Sequence, residues 1–250
     1  MSFKDYFSSV ASDYSSYRPG YPPGLFDYLA SEAPSKGLAW DCATGSGQAA
    51  TMLADYFEQV TATDGSQAQL DSAEASDTIE YRQELAENSS LADHSVDLIT
   101  VGQALHWFDL EAFEQEADRV LKPGGLLAVW SYAVLSSEPA IDRVIQRLYD
   151  DILGDFWTHE RRMVEEGYGS VQFGFEELTA PEFAMRADWD LRHLAGYLST
   201  WSAGKRYEET RGENPLLLVA DELQRAWGDA ARSVSIHWPL TLRVWRKTRD

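Results

Sequence analysis

Two acids bracketing a run of small residues are the first groups in this sequence able to do chemistry. Asp41 opens the string D-C-A-T-G-S-G over residues 41 to 47, and Asp64 closes the apolar run QVTATD. Where a parallel strand passes into a helix, the first helical amides point outward unpaired, and glycines let a ligand approach the backbone. Ala43, Thr44, Gly45, Ser46 and Gly47 keep such a turn open. Asp41 beside it is an acceptor suited to a cationic group, at the carboxyl edge where open α/β sheets bind ligands. The same string is compatible with a plain tight turn. It also reads G-S-G-Q-A-A, which satisfies the dinucleotide fingerprint, with Asp64 in the place of a ribose-binding acid; that reading predicts an NAD(P)-dependent oxidoreductase. Asp64 has a purely structural alternative as well, capping a helix that begins near Ser66.

The elements that must position these acids alternate along the first half of the chain. After GLFDYLASEA, a helix closed by Pro34, Ser35 and Gly37, strand-like LAWDCA, QVTATD, IEYRQE, VDLITVG and LLAVWSY alternate with helices. These are expected from Gln48 to about Phe57, Ser66 to about Ser76, and Leu110 to Leu121. Short apolar strands separated by helices predict a mostly parallel sheet with helices on both faces. After Tyr132 the rhythm breaks. Residues 136 to about 180 read as mainly helical, with Ile141, Val144, Ile145, Leu148 and Ile152 on one stripe. FAMRADWDL reads as a strand, LRHLAGYLSTWSA and NPLLLVADELQRAWG as helices, and SIHWPLTLRVWRK as a final strand returning to the sheet.

Taken together, these stretches resemble the class I S-adenosylmethionine-dependent methyltransferases. Their first motif, D-x-G-x-G-x-G, stands here as Asp41 to Gly47 with Ala43 replacing the first glycine. VTATDGSQAQL, ELAENSSLADHSVDLITVGQALHWFD and ADRVLKPGGLLAVW follow in the family's order, and a dinucleotide enzyme requires neither of the last two. YRPGYPPGLFDYL, QALHWFD, GYLSTWSAGKRY and WPLTLRVWRK are similar to the trans-aconitate methyltransferase-like, type 11, small-molecule branch, so the resemblance runs over nearly the whole chain. It implies a Rossmann-like α/β fold with a seven-stranded, mostly parallel sheet and a mainly helical insertion between strands 5 and 6. It further implies a cofactor-binding core over 36–135 and substrate-recognition helices plus the last two strands over 136–250; the Tyr/Ser composition of the N-terminal arm and its Arg18-Pro19-Gly20 turn suggest that arm and helix, residues 1–35, act as a lid.

The cofactor implied is S-adenosyl-L-methionine, leaving S-adenosyl-L-homocysteine as product. Gly45 and Gly47 would lie against its methionine end, with Asp41 near the amino group. Asp64 would accept from both ribose hydroxyls, Ala86 and Glu87 would flank the adenine, and the Gln103 carbonyl would face the amine. The sulfonium activates the methyl, so the chain's task is to hold a nucleophile in line at about 3 Å and keep water out. His106, in QALHWFD, is the candidate catalytic group: a base for a hydroxyl or amine, a donor to a carboxylate, or a histidine that only packs beside Trp107. For a carboxylic acid acceptor, which the branch suggests, Arg18 and the Lys205–Arg206 pair are candidate cations. Tyr14, Tyr17, Tyr21, Trp107, Trp201 and Tyr207 are candidate walls of the acceptor pocket.

Composition narrows the partners. With 21 basic against 41 acidic residues the formal charge is −20, which repels polyanions, so neither nucleic acid nor an anionic membrane surface is expected. A small-molecule acceptor and a monomer or homodimer are. The five His residues have no metal-ligand spacing and there is no C-x-x-C or G-x-S-x-G motif, so no metal or covalent intermediate is expected. The single Cys42 excludes an internal disulfide, the N-terminus lacks the apolar core of a signal peptide, and no 18-residue apolar run occurs; a cytoplasmic protein is expected. A non-catalytic S-adenosylmethionine-binding protein is the remaining alternative.

Overall fold

The computed structural model describes residues 17–248. Backbone contacts group the described residues into two units, one made of residues 21–133, 162–184 and 239–248, the other of 17–20, 134–161 and 185–238. The sheet is built from β1 (Leu38–Cys42), β2 (Gln59–Asp64), β3 (Ile79–Gln83), β4 (Val96–Gly102), β5 (Leu121–Tyr132), β6 (Glu176–Leu178), β7 (Phe183–Trp189) and β8 (Val234–Arg246). Their order is β3-β2-β1-β4-β5-β8-β6, with β7 pairing to β8 off this path. Strands β1 to β5 run parallel, while β8 is antiparallel to both β5 and β6. The path thus holds the seven strands expected, and β7 makes an eighth. The strand order reverses between β1 and β4, the kind of switch point that opens a crevice at the carboxyl edge.

The inner strands β1, β2 and β4 are largely buried because both their faces are covered, while the edge strand β3, IEYRQ, buries only Ile79. Six of the seven β4 residues are buried. On one face Trp40, Ile99, Val101, Phe113, Val129 and Trp245 form a single cluster. Helix α1 (Pro23–Glu32) contributes Leu25, Phe26, Leu29 and Ala30, all buried. Helices α2 (Gln48–Leu53) and α3 (Gln67–Leu70) follow β1 and β2, and α4 (Leu110–Val120) follows β4. Asp109 caps α4 by accepting from the Ala112 N–H at 3.2 Å.

Three helix expectations change, the first being the helix from Gln48 to about Phe57, which ends at Leu53. The helix from Ser66 to Ser76 is one turn only, because Leu70 is its one buried residue and the Ser72 hydroxyl competes for the Gln69 carbonyl at 2.6 Å. The helical reading of 136 to 180 holds through α5 (Pro139–Gln146), its π-helical continuation Arg147–Ile152 and α6 (Arg161–Glu165). It ends there, where Gly167 and Tyr168 take left-handed φ values of +59° and +58°.

In the second unit, α7 (Leu191–Ser199), α8 (Ser202–Arg211) and α9 (Ala220–Trp227) accompany α5. Asp190 caps α7 through the His193 N–H at 2.7 Å. The predicted stripe on α5 is buried at Ile141, Val144, Ile145 and Leu148, with Ile152 partly so. Trp189, Tyr197 and Trp238 pack edge to face, and the Trp238 indole N–H donates to the Tyr197 hydroxyl at 3.1 Å.

One buried charge pins the start of the sheet. Asp97, its side chain fully buried, accepts from Lys122 Nζ at 2.8 Å, Ser35 Oγ at 2.6 Å and the amides of Gly37 and Leu38 at 3.0 Å. Burial works to raise this carboxyl, but the hydrogen bonds from Lys122, Ser35 and Leu38 and the Lys122 charge outweigh it and hold it below its ordinary value. Its contribution is therefore present above the unfolded carboxyl's pKa and is lost as pH falls through the folded one. Asp97→Asn is expected to destabilise the sheet unit by about 3 kcal/mol, the scale for breaking a buried pair, in urea unfolding at neutral pH. The loss should shrink in acid.

Candidate functional site

The turn after β1 leaves the sheet through left-handed backbone at Ala43 (φ +55°), Gly45 (+58°) and Gly47 (+86°). Ala43 tolerates this conformation less well than the glycine of the family pattern would. A Cβ at Gly47 would lie 2.5 Å from the Tyr81 hydroxyl oxygen, so glycine is required there by contact as well as by conformation. The loop is fastened from below. Asp41, 1% exposed, accepts from Thr44 Oγ1 at 2.5 Å and from Thr100 Oγ1 on β4 at 2.7 Å. Burial pushes the Asp41 carboxyl up to about 6, against the pull of both hydroxyls. Thr44 N–H also donates to the Thr63 carbonyl at 2.9 Å, tying the loop to β2.

Asp64 sits at the end of β2, partly exposed. One carboxylate oxygen accepts from the Gly45 N–H at 2.9 Å and the other from the Ser66 N–H at 2.8 Å. Asp64 does not cap α3, whose N-cap is Ser66 with no side-chain cap bond; it fastens the turn that leads into it. Each oxygen retains a second lone pair, so the role does not exhaust the carboxylate. Asp41 and Asp64 meet on opposite sides of one loop.

The remaining cofactor candidates line the next two strand ends. Ala86 is buried, and Glu87 turns its side chain back to accept from the Asp109 N–H at 2.9 Å. Leu85, which sequence reading passed over, is 63% exposed and would touch a Cβ on Gly65 at 3.3 Å. An exposed leucine beside Asp64 is an apolar surface no sequence signal marks. Gln103 leaves β4 at φ +54°; its N–H donates to the Trp130 carbonyl at 2.8 Å and its side chain accepts from the Tyr132 N–H at 2.7 Å.

His106 lies in the short 3-10 turn Leu105–Trp107 that follows. Its Nδ1 is 3.0 Å from the Tyr168 hydroxyl, and its ring is 4.6 Å from that of Trp107, which is 61% exposed. Tyr168 was not among the sequence candidates, being remote along the chain in a stretch read as helix. Tyr21 stands edge-on to Trp130 at 5.3 Å, its hydroxyl 3.0 Å from where a Gly102 Cβ would be.

Arg18, Trp201 and Arg206 belong to the helical unit. The Arg18 guanidinium lies over the Tyr197 ring at 5.8 Å. Trp201 is buried against Tyr149, Trp157 and Tyr197, with ring centroids 5.6, 5.7 and 6.2 Å away. Arg206 donates to the Phe156 carbonyl at 2.8 Å, while Lys205 is exposed and the Tyr207 ring packs tilted against Phe156 at 4.9 Å. Tyr17 meets the His193 ring at 5.2 Å, and Tyr14 and the rest of the arm before it lie outside the described residues. Arg161, also unanticipated, lies over Trp157 and Tyr149 at 5.0 and 5.6 Å. Among the described residues no cluster of His, Cys, Asp or Glu is arranged to hold a metal, and no helix is long and apolar enough to cross a membrane.

An α/β sheet with this strand order, an acid-anchored small-residue loop after β1 and a second acid at the end of β2 defines a Rossmann-like nucleoside-binding class. A family model described as a methyltransferase domain matches residues 40–129. A Dictyostelium discoideum protein named as a methyltransferase is 32% identical over 253 residues, 98% of this chain and 96% of its own. A solved structure from Anaeromyxobacter dehalogenans, described as a type II methyltransferase, is 39% identical with a TM-score of 0.88, covering 93% of this chain and 99% of that one. Another from Anabaena variabilis, described as a methyltransferase from an antibiotic biosynthesis pathway, shares the fold at 18% identity and a TM-score of 0.58, covering 90% of this chain and 99% of that one. The chain belongs to the class I S-adenosylmethionine-dependent methyltransferases, and the dinucleotide reading of the loop falls away.

Gly47→Ala is expected to lower stability by about 1 to 3 kcal/mol through left-handed strain and the Tyr81 collision. Adding Tyr81→Phe should return part of that loss in a denaturation series, since it removes the nearest colliding atom. A double variant no more stable than Gly47→Ala would contradict this packing.

Proposed function

We propose that this methyltransferase acts on a small organic acid at a carboxylate oxygen, with the cofactor held at the carboxyl edge of β1, β2 and β4. The residues present suit that cofactor. Asp64 offers a lone pair on each oxygen, matching the paired hydroxyls of a ribose. Gly45 leaves the loop surface bare, with only Gln69 at 3.9 Å from where a Cβ would stand. Asp41, buried and driven up to about 6, is a site that a neighbouring ammonium would stabilise in its ionised form. Ala86 and Glu87, whose side chains are buried or engaged, would offer backbone to the adenine, and the Gln103 carbonyl would face the amine. When bound, S-adenosylmethionine supplies an electrophilic methyl on a sulfonium, and passing it to a carboxylate oxygen yields an ester and a thioether with no proton to move.

The observation that carries the acceptor class is the aromatic and guanidinium chemistry of the helical unit. Tyr149, Trp157, Tyr197 and Trp201 form a connected cluster, with Arg18 and Arg161 laid on its faces. Such surfaces suit a planar or unsaturated acid, and guanidinium pairs with carboxylate in two-point fashion. Tyr21 and Trp107 remain the acceptor-wall candidates of the sheet unit, and Trp201 and Arg206 those of the helical unit, each taken by itself. The charge of −20 disfavours nucleic acid as acceptor.

Two measurements test this reading. Asp64→Ala should weaken S-adenosylhomocysteine binding by about 1.5 to 3 kcal/mol in calorimetry, the scale of charge-assisted hydrogen bonds; unchanged affinity removes Asp64 from the ribose. Because the ammonium would favour ionised Asp41, its carboxyl should titrate lower in the complex than in the free chain. Affinity should then be level above about pH 6 and fall as pH drops below it, with proton release on binding. Affinity independent of pH across that range would contradict the pairing. Turnover of a panel of organic acids, with none of phenols or amines, would support the carboxylate acceptor; the reverse preference would overturn it.

A further inference from the structure

Tyr168 is held in a backbone conformation that a bulky residue adopts only when its surroundings force it. The forcing is visible. Gly167 precedes it at φ +59°, and any side chain there would collide with Thr241, 2.7 Å from a notional Cβ. The Tyr168 N–H donates to the Met163 carbonyl at 2.8 Å, and its own carbonyl accepts from Arg243 Nη1. Arg243 is itself fixed by both oxygens of Glu177 at 2.8 and 3.0 Å, by the Val171 carbonyl at 2.6 Å, and by stacking over Trp245 at 4.6 Å. The clamp spans β6, β8 and the turn after α6. Its outcome is a fully buried phenol with its hydroxyl 3.0 Å from His106 Nδ1 and its ring nearly parallel to the imidazole.

We propose that Tyr168 is the positioning residue of His106: its hydroxyl donates to Nδ1 and fixes the neutral imidazole with its proton on Nε2. A phenol stays protonated at neutral pH, and an imidazole nitrogen is a far better acceptor than a phenolic oxygen whose lone pair is conjugated with its ring. The direction O–H to Nδ1 is therefore the favourable one. His106 then presents an N–H donor, not a base, to whatever lies beyond Nε2. A donor suits an acceptor that is already anionic, such as a carboxylate, and is useless for deprotonating a hydroxyl or an amine. This deepens the proposed function and rests on its placing of His106 at the acceptor.

The test is nitrogen-15 NMR of the full chain labelled at histidine, with the His106 signals assigned by His106→Gln. At neutral pH the wild type should show an unprotonated Nδ1 and a protonated Nε2, and Tyr168→Phe should shift it to a mixture of tautomers. Tyr168→Phe should also slow turnover of an acid acceptor by about tenfold, on the scale of one lost hydrogen bond, with S-adenosylhomocysteine affinity unchanged. A protonated Nδ1 in the wild type overturns the proposal without depending on how the variant folds. So does a rate at saturating cofactor that climbs with pH through about 6.5 in the wild type and no longer does so in His106→Gln, the signature of an imidazole base. Full turnover in His106→Gln beside the expected tautomer would instead contradict the placing of His106 at the acceptor, which separates the two failures.

Discussion

The Asp41 carboxylate, shared between the Thr44 and Thr100 hydroxyls, is the interaction on which the site depends. One partner belongs to the loop after β1 and the other to β4, so a single buried acid sets the distance between two strand ends that leave the sheet. Its burial raises its own pKa, which is the electrostatic cost of this placement. The same cost makes the position responsive to a cation. In the proposed function, structure and binding use this one group, and neither use cancels the other.

Around that anchor the chain repeats one device. At the carboxyl ends of β1 and β4 the backbone turns through left-handed φ, at Ala43, Gly45, Gly47 and then Gln103. Each turn is fastened from the neighbouring strand: Gly45 by Asp64 of β2, Gln103 by the Trp130 carbonyl and the Tyr132 amide of β5. Non-glycine residues in that region are strained by about 1 to 3 kcal/mol and persist only when over-determined. Tyr168 repeats the pattern on the far side of His106, where an ion pair and a glycine hold it. Strain concentrates where groups must be aimed.

Sequence made the parallel half of the sheet readable because its inner strands are largely apolar and bounded by glycine, serine and aspartate. β4 runs over the residues VDLITVG marked for it, and Asp41 and Asp64 flank one loop as their spacing suggested. What sequence could not supply was partnership across distance. Tyr168 reaches His106 because Gly167 and Arg243 bend the chain there, and no local periodicity encodes that encounter. Leu85 is exposed through the geometry of the turn after β3, although its composition reads as core. Helix α3 stops after Leu70 because nothing beyond it has an apolar face to bury, a limit set by the rest of the fold.

A crystal structure of the chain with S-adenosylhomocysteine tests the central claim most directly. The account predicts both ribose hydroxyls on Asp64, the amine within reach of Asp41 and the Gln103 carbonyl, and the loop surface at Gly45 bare beneath the thioether. A nucleoside bound elsewhere, with the turn after β1 closed over Asp64, would contradict it.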